Sequence, residues 1–321
     1  MQLYFAPLEG ITGYIYRGAH HQFYTGVDVY YTPFISPAQG CVMNPKEMRD
    51  VIPEHNAGVP LVPQILAKDA KFFIQAAKKL REFGYSEINL NAGCPSRTVV
   101  TKGKGAGFLQ NTDGLDRFLD TVMEELGGDI SVKTRIGMQS EEEFERLLDV
   151  YNRYPLKMLI IHPRTGQDFY EHEPRYRAVE YALRNSKNPI CYNGDVFDEE
   201  AYKKLRERFP KLERVMLGRG MLQRPYLAEQ MKKEEASVTG GKKMVNREEI
   251  VRLRTFHDRL VADYTEYMSG DKNVLFKMKE LWLYMLASIP EGERYRKDIK
   301  KVQKLSHYQD LMEHMFTEAL S

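Results

Sequence analysis

The amino-acid sequence predicts a (β/α)8 barrel of the TIM type followed by a small all-helical C-terminal domain. Three observations carry that expectation. Short apolar runs alternate about eight times with segments of helical spacing over the first two-thirds of the chain. No G-x-G-x-x-G follows the first run, so the signature of a dinucleotide-binding open sheet is missing. Beyond Pro225 the strand pattern stops and only helical stripes continue.

Eight runs read as strands: residues 3–6, 27–31, 61–65, 88–91, 130–134, 158–162, 189–193 and 214–218. Each is short, rich in β-branched or aromatic residues, and closed by a polar or glycine-containing turn. Between them lie amphipathic segments. From the N-cap Asp69, apolar residues fall at Phe73, Ala76, Ala77 and Leu80 before Gly84 ends the pattern. From Thr112 the stripe is Leu115, Phe118, Leu119, Val122 and Leu126. From Ser140, three glutamates load the first turn, which suits the helix dipole, and Phe144, Leu147, Leu148 and Tyr151 form the apolar face. Residues 236–244 hold Ser, Gly and Lys without periodicity and read as a linker between a barrel domain at 1–235 and a helical domain at 245–321. Three stripes follow: Ile250, Leu253, Phe256, Leu260 and Tyr264; Val274, Met278, Leu281 and Met285; Ile299, Val302 and Leu305.

The 321 residues are 42% hydrophobic and 29% charged, with a formal net charge of +2. Such a balance gives no global affinity for polyanions, so any nucleic-acid contact must come from local basic patches. Three cysteines, Cys41, Cys94 and Cys191, show neither C-x-x-C spacing nor a metal cluster. A reducing, cytoplasmic setting is expected, with no membrane span, no metal site and a monomeric chain.

The stretch most suggestive of chemistry is Asn91-Ala92-Gly93-Cys94-Pro95-Ser96, which places a thiol just past the end of a buried strand. The following Lys102-Gly103-Lys104-Gly105-Ala106-Gly107 reads as a flexible basic loop able to close over an anion. In a barrel, chemistry gathers at the C-terminal ends of the strands. There stand Pro7, Leu8, Glu9 and Gly10, then Gln64, Asn91 with Cys94, Lys133 with Arg135, His162 with Arg164, Asn193-Gly194-Asp195, and Gly218-Arg219-Gly220. Each has a plain structural reading too. Lys133 would pair with a rim carboxylate, His162 would be a satisfied core histidine, and the glycine segments would be turns. The last two segments follow strands seven and eight, where barrels commonly hold a phosphate. Backbone amides there, with Arg219, suit a phosphate monoester. A phosphate-bearing cofactor across the barrel mouth is therefore expected.

These same residues resemble the flavin-dependent tRNA dihydrouridine synthases over nearly the whole chain. Seven blocks carry the resemblance in order. They are Ala6-Pro7-Leu8-Glu9-Gly10-Ile11-Thr12, Asn91-Ala92-Gly93-Cys94-Pro95-Ser96, Lys102-Gly103-Lys104-Gly105-Ala106-Gly107, Val132-Lys133-Thr134-Arg135-Ile136-Gly137, His162-Pro163-Arg164-Thr165, Asn193-Gly194-Asp195 and Gly218-Arg219-Gly220. The resemblance implies an FMN site at Pro7, Leu8, Glu9, Gln64, Lys133, His162, Asn193, Gly194, Asp195, Gly218 and Arg219. It implies Cys94 as the general acid, and Asn91, Arg135 and Tyr170 at the uracil ring. Leu8 stands where the family usually has Met, Asn89 where an acidic residue is common, and Glu280 where a helix often carries His.

The implied reaction is NADPH-dependent, FMN-mediated reduction of the C5–C6 bond of a uridine. The base would be turned out of a folded RNA, with Arg97, Lys102 and Lys104 near its phosphates. Lys297, Lys300, Lys301 and Lys304 would extend that basic track or merely solvate a helix face. Two other readings stay open: an FMN oxidoreductase like dihydroorotate dehydrogenase, and an RNA-binding barrel without catalysis.

Overall fold

The structure, a computed structural model, describes residues 1–236 and 246–321; the expected linker at 236–244 lies almost wholly outside these. The described chain forms two compact units. The first comprises Met1–Gly10, Asp28–Asp195 and Lys204–Gly218, the second Ile11–Val27, Val196–Lys203 and Arg219–Ser321.

All strands belong to the first unit: β1 (Gln2–Phe5), β2 (Val29–Tyr31), β3 (Leu61–Val62), β4 (Gln64–Ile65), β5 (Ile88–Ala92), β6 (Ile130–Arg135), β7 (Met158–His162), β8 (Ile190–Tyr192) and β9 (Arg214–Leu217). They pair in parallel in the order β3-β2-β1-β9-β8-β7-β6-β5-β4. The two ends of that order, β3 and β4, are consecutive in sequence and separated by Pro63 alone. Proline has no N–H to give a ladder, so one run is registered as two pieces and the sheet closes on itself. This is the expected (β/α)8 barrel, its third strand cut by a proline.

Alternate residues of a strand share a face. On one face, Tyr4, Ala6, Tyr31, Val62, Met158, Ile160, Cys191 and Met216 meet in one buried cluster, the apolar part of the barrel interior. Register carries that face onward. Ser131 pairs with Met158 and Lys133 with Ile160; Asn89 pairs with Ser131 and Asn91 with Lys133; Gln64 pairs with Asn89. The interior is thus apolar on most strands and polar on β4, β5 and β6.

Helix starts follow side-chain chemistry. Asp69 accepts from Lys71 N at 2.9 Å before Ala70–Glu82, and Asn111 accepts from Gly114 N at 3.0 Å before Thr112–Leu126. The helix Glu143–Tyr151 begins differently from its acid-loaded reading. The Glu143 carboxylate folds back to accept from the N–H groups of Met138, Gln139 and Ser140 at 2.8–3.0 Å.

The second unit is helical. Trp282, His257, Tyr308 and Phe316 form the centre of helices Arg247–Tyr267, Asp271–Met285 and Leu305–Leu320. Tyr16, His20 and Tyr24, from residues 11–27, surround Phe256 with ring centroids 5.7, 6.4 and 5.3 Å away. Burial holds His20 down to about 4, against the pull of the Pro225 carbonyl, so it is neutral. The chain leaves this aromatic group at Gly26, where φ is +86° and a Cβ would lie 2.8 Å from the Ala228 backbone, so only glycine fits. The stripe read through Ile299, Val302 and Leu305 is broken. Arg296–Lys301 ends at an extended Val302 (ψ 135°), and a new helix starts at Leu305.

Candidate active site

Cys94 leaves β5 half-buried on a turn built by Asn91. The Asn91 Oδ1 accepts from Gly93 N at 3.1 Å and Cys94 N at 2.9 Å. Gly105 and Gly107 pack under this turn. A Cβ on Gly105 would lie 2.6 Å from the Cys94 carbonyl oxygen, and one on Gly107 would lie 2.7 Å from that of Val100. Ala106 N donates to the Cys94 carbonyl at 3.0 Å. The glycines of the basic loop therefore serve close packing, and the 3-10 segment Gly105–Gln110 is buried up to its last residue. Lys102, Gly103 and Lys104 lie outside that buried segment.

Behind Asn91 runs a line of buried amides. Asn91 Nδ2 donates to Gln64 Oε1 at 2.7 Å, Gln64 Nε2 to Asn89 Oδ1 at 2.8 Å, and Asn89 Nδ2 to Ser131 Oγ at 2.8 Å. Leaving one such group unpaired costs about 1–3 kcal/mol, so a polar sector inside a barrel survives only when matched end to end.

Lys133 sits one interior position above Ser131. Its surroundings push the ammonium down to about 8, through burial first and the Arg135 cation second. Among the described residues it has no carboxylate partner and no hydrogen bond. Arg135 is fully buried and acts as a stitch. Nε donates to Gly93 O at 3.0 Å, Nη1 to Thr165 O at 2.5 Å and Nη2 to Phe169 O at 2.7 Å, joining the loops after β5 and β7. Burial raises the Cys94 thiol above its ordinary range, only partly opposed by the Ser96 backbone, Lys133 and Arg135, so the group is protonated at neutral pH.

At the end of β7, His162 is buried and Arg164 donates to its Nε2 at 3.0 Å. A guanidinium can only donate, so Nε2 accepts and the ring proton lies on Nδ1. Arg164 also grips Asp195, Nη1 to Oδ1 at 3.1 Å and Nη2 to Oδ2 at 2.5 Å. Asn193 Nδ2 donates to Met216 O at 2.8 Å, tying the exit of β8 to β9. At Gly194 a Cβ would collide with the Tyr192 hydroxyl at 2.0 Å, so a side chain here would displace the Tyr192 ring. At Gly218 a Cβ would meet only Ala6 Cβ, at 3.6 Å, so the glycine leaves open room beside the end of β1. Arg219 opens the last segment of the second unit, its guanidinium 5.3 Å from the Phe197 ring.

The loop after β7 is held by Asp168. Burial would raise this carboxyl, but hydrogen bonds from Arg175 and from the backbone and hydroxyl of Thr165 drive it far below the usual range. The loop turns at Phe169, a non-glycine residue at φ +48°, and projects Phe169 and Tyr170 outward, 37% and 52% exposed. The Tyr170 ring lies 5.8 Å from His162 and 5.3 Å from the Arg135 guanidinium. Left-handed backbone at a bulky residue costs energy and recurs at functional loops. Pro7 and Leu8 are half-buried beyond β1, and Glu9 is exposed, 3.6 Å from Lys46. Arg97 and Lys102 are exposed, while Lys104 donates to Ser36 Oγ at 3.1 Å. Burial and the cations of Lys102 and Lys68 lower the Lys104 ammonium from its ordinary value.

The family model for dihydrouridine synthase (Dus) matches residues 4–320. The chain belongs to the dihydrouridine synthase family. A probable tRNA-dihydrouridine synthase of Staphylococcus aureus (strain COL) is 27% identical over 242 residues, 72% of each chain. Another, of Rhodobacter capsulatus, is 25% identical over 222 residues, 69% of this chain and 68% of that one. Among solved structures, morphinone reductase superposes with a TM-score of 0.52 at 12% identity, covering 73% of this chain and 86% of its own. The old yellow enzyme homologue of Zymomonas mobilis gives 0.53 at 11%, covering 74% and 90%. At such identities the likeness shows the barrel fold alone.

Membership of the dihydrouridine synthase family sets aside the reading as a dihydroorotate-dehydrogenase-like enzyme. In this dihydrouridine synthase barrel, Gln64, Asn91, Cys94, Lys133 and Arg135 come together on three adjacent strands and their loops. Two supporting residues escaped the sequence reading of the site, Ser131, whose partner lies across the fold, and Asp168, held by Thr165 and Arg175 within its own loop. Arg164 was read at the end of its strand beside His162, and Asn89 only as a departure from the family pattern.

Proposed function

We propose that the protein is an oxidoreductase that reduces the C5–C6 bond of a uridine in folded tRNA, with FMN as cofactor and NADPH as reductant. The observation that carries this reading is a protonated, half-buried Cys94 beside a Lys133 cation that has no anionic partner among the described residues. A lysine inside a barrel is costly unless it meets an acceptor, so its presence fits a polar ligand above it. The open room at Gly218 fits a ligand too, and His162 belongs to the proposed flavin set. Pro7, Leu8, Glu9, Gln64, Asn193, Gly194, Asp195 and Arg219 complete the proposed flavin set. Gln64, Asn193 and Asp195 do so with part of their capacity already given to the protein.

When bound, the flavin supplies hydride to C6 of the uracil. The chain's own residues do the rest. Cys94 holds the proton that C5 must receive, and its raised pKa keeps that proton in place at neutral pH. As the thiol gives it up, Lys133 and Arg135 stabilise the developing thiolate, since both cations already favour the charged form. Asn91 fixes the Cys94 backbone and Arg135 fixes the loop that carries Tyr170. Asn91, Arg135 and Tyr170 are the proposed contacts of the uracil. The direct test is the purified protein, expected to be yellow with one FMN per chain. A protein that stays colourless in excess FMN overturns the proposal.

RNA contact is proposed for Arg97, Lys102 and Lys104, and for the exposed Lys297, Lys300, Lys301 and Lys304. Reversal to glutamate at Lys102 or Lys104, and at Lys300, Lys301 or Lys304, is expected to weaken tRNA binding and leave flavin content unchanged. Each lost phosphate contact should flatten the log affinity against log salt slope by about 0.7–0.9. Unchanged slopes in the C-terminal variants would show that those lysines merely solvate a helix.

A further inference from the structure

We infer that Asn89 is a positioning residue for Cys94, acting through Gln64 and Asn91 by a hydrogen-bond chain of fixed direction. The inference rests on Cys94 being the proton donor. Backbone N–H groups can only donate, so Asn91 must turn its oxygen to Gly93 and Cys94 and its nitrogen to Gln64. Gln64 must meet that nitrogen with oxygen, and its own nitrogen then needs an acceptor. Asn89 Oδ1 is that acceptor, 2.8 Å away. Asn89 Nδ2 is spent on Ser131 Oγ at 2.8 Å, and Ser131 lies beside the Glu87 carboxyl.

Asn89 is fully buried in the middle of β5, in register with Gln64 on one side and Ser131 on the other. Nothing places it at the barrel mouth. What position 89 must supply is an oxygen facing Gln64. Without it the Gln64 amide nitrogen is a buried donor with no acceptor, the Gln64 side chain is driven to another rotamer, and Asn91 loses the oxygen that holds its own nitrogen, so the turn that presents the thiol is held less firmly. The amide nitrogen of Asn89, by contrast, serves only the far end of the chain. A carboxylic acid at this position keeps the required oxygen whether or not it is ionised.

The test uses the flavin-loaded full chain with NADPH and tRNA. It compares Asn89→Leu, Asn89→Asp, Ser131→Ala, Cys94→Ala and the double variant Asn89→Leu/Cys94→Ala. Flavin content is expected to stay parental in Asn89→Asp, Ser131→Ala and Cys94→Ala; the two Asn89→Leu variants, in which the Gln64 amide loses its acceptor, are loaded with added FMN, and all are compared at equal flavin content. Asn89→Leu should slow uridine reduction at saturating tRNA about 10- to 100-fold, with little change in KM, as a misplaced catalytic group does. Asn89→Asp and Ser131→Ala should keep the parental rate. On the Cys94→Ala background, Asn89→Leu should add no further slowing, because both changes act on one thiol. Slowing that multiplies, or an Asn89→Leu enzyme at the parental rate, overturns the inference. Should Asn89→Leu fail to fold, Asn89→Asp and Ser131→Ala decide the matter. Parental uridine reduction in both supports the inference, and a loss of about 10-fold or more in either overturns it. A parental Cys94→Ala enzyme is a separate result: it removes the acid role itself.

Discussion

Replacing Cys94 by alanine is expected to slow uridine reduction by about 10²–10⁴-fold, the usual worth of a positioned general acid. Flavin content and the rate of flavin reduction by NADPH should not change. The thiol sits on a turn held from beneath by Asn91 and from the side by Ala106, with bonds to backbone atoms that alanine retains. Loss of the Sγ therefore removes a proton donor and leaves the turn in place. Because burial keeps the thiol protonated, the parental rate should hold at neutral pH, and at saturating flavin the part of its alkaline fall that comes from ionising Cys94 should be absent in Cys94→Ala. Rapid-mixing absorbance of the flavin separates the two half-reactions. A parental rate of uridine reduction in the variant would place the acid elsewhere.

The Lys133→Met change is expected to act in opposite directions on stability and on flavin. In the flavin-free protein the Lys133 side chain is half-buried without a carboxylate, and its pKa falls to about 8 from an ordinary value of about 10.4. A lysine lowered in this way binds more protons unfolded than folded, so parental stability rises with pH between those two values. Methionine escapes the desolvation cost. Its stabilising effect should be greatest below about pH 8 and shrink towards pH 10.4. Flavin affinity should fall about 10- to 100-fold in the variant, the worth of one hydrogen bond from a charged group. In the parent, flavin affinity should weaken as pH rises through about 8. Thermal melting against pH and flavin titration check both. A less stable variant that binds flavin as the parent does would show that Lys133 supports the barrel and does not face the cofactor.

The strands, the helix cap at Asp69 and the helical tail were legible in the sequence because their causes are local. Apolar alternation, capping side chains and glycine exits act over a few residues. The ordered motif blocks made the family legible as well, and the family model agrees. Some local signals misled. The glycines at 105 and 107 read as mobility, yet each fills a place where a Cβ would strike a backbone oxygen. The spacing of Ile299, Val302 and Leu305 fits one helix, but the chain turns extended between them.

What the sequence by itself determined is the repeating unit, the residues at the strand ends and the presence of a thiol among them. What only the tertiary structure decided is which donors and acceptors are already spent. Gln64 meets Asn89 across 25 positions of sequence, Asn89 meets Ser131 across 42, and Arg164 meets Asp195 across 31. Strand register and loop closure set those meetings, and no short-range pattern records them. The gathering of residues 11–27 with the C-terminal helices has the same origin. A ring of aromatics around Phe256 is built from segments more than 200 positions apart, and burial of shared apolar surface acts on distance in space, whatever the distance along the chain.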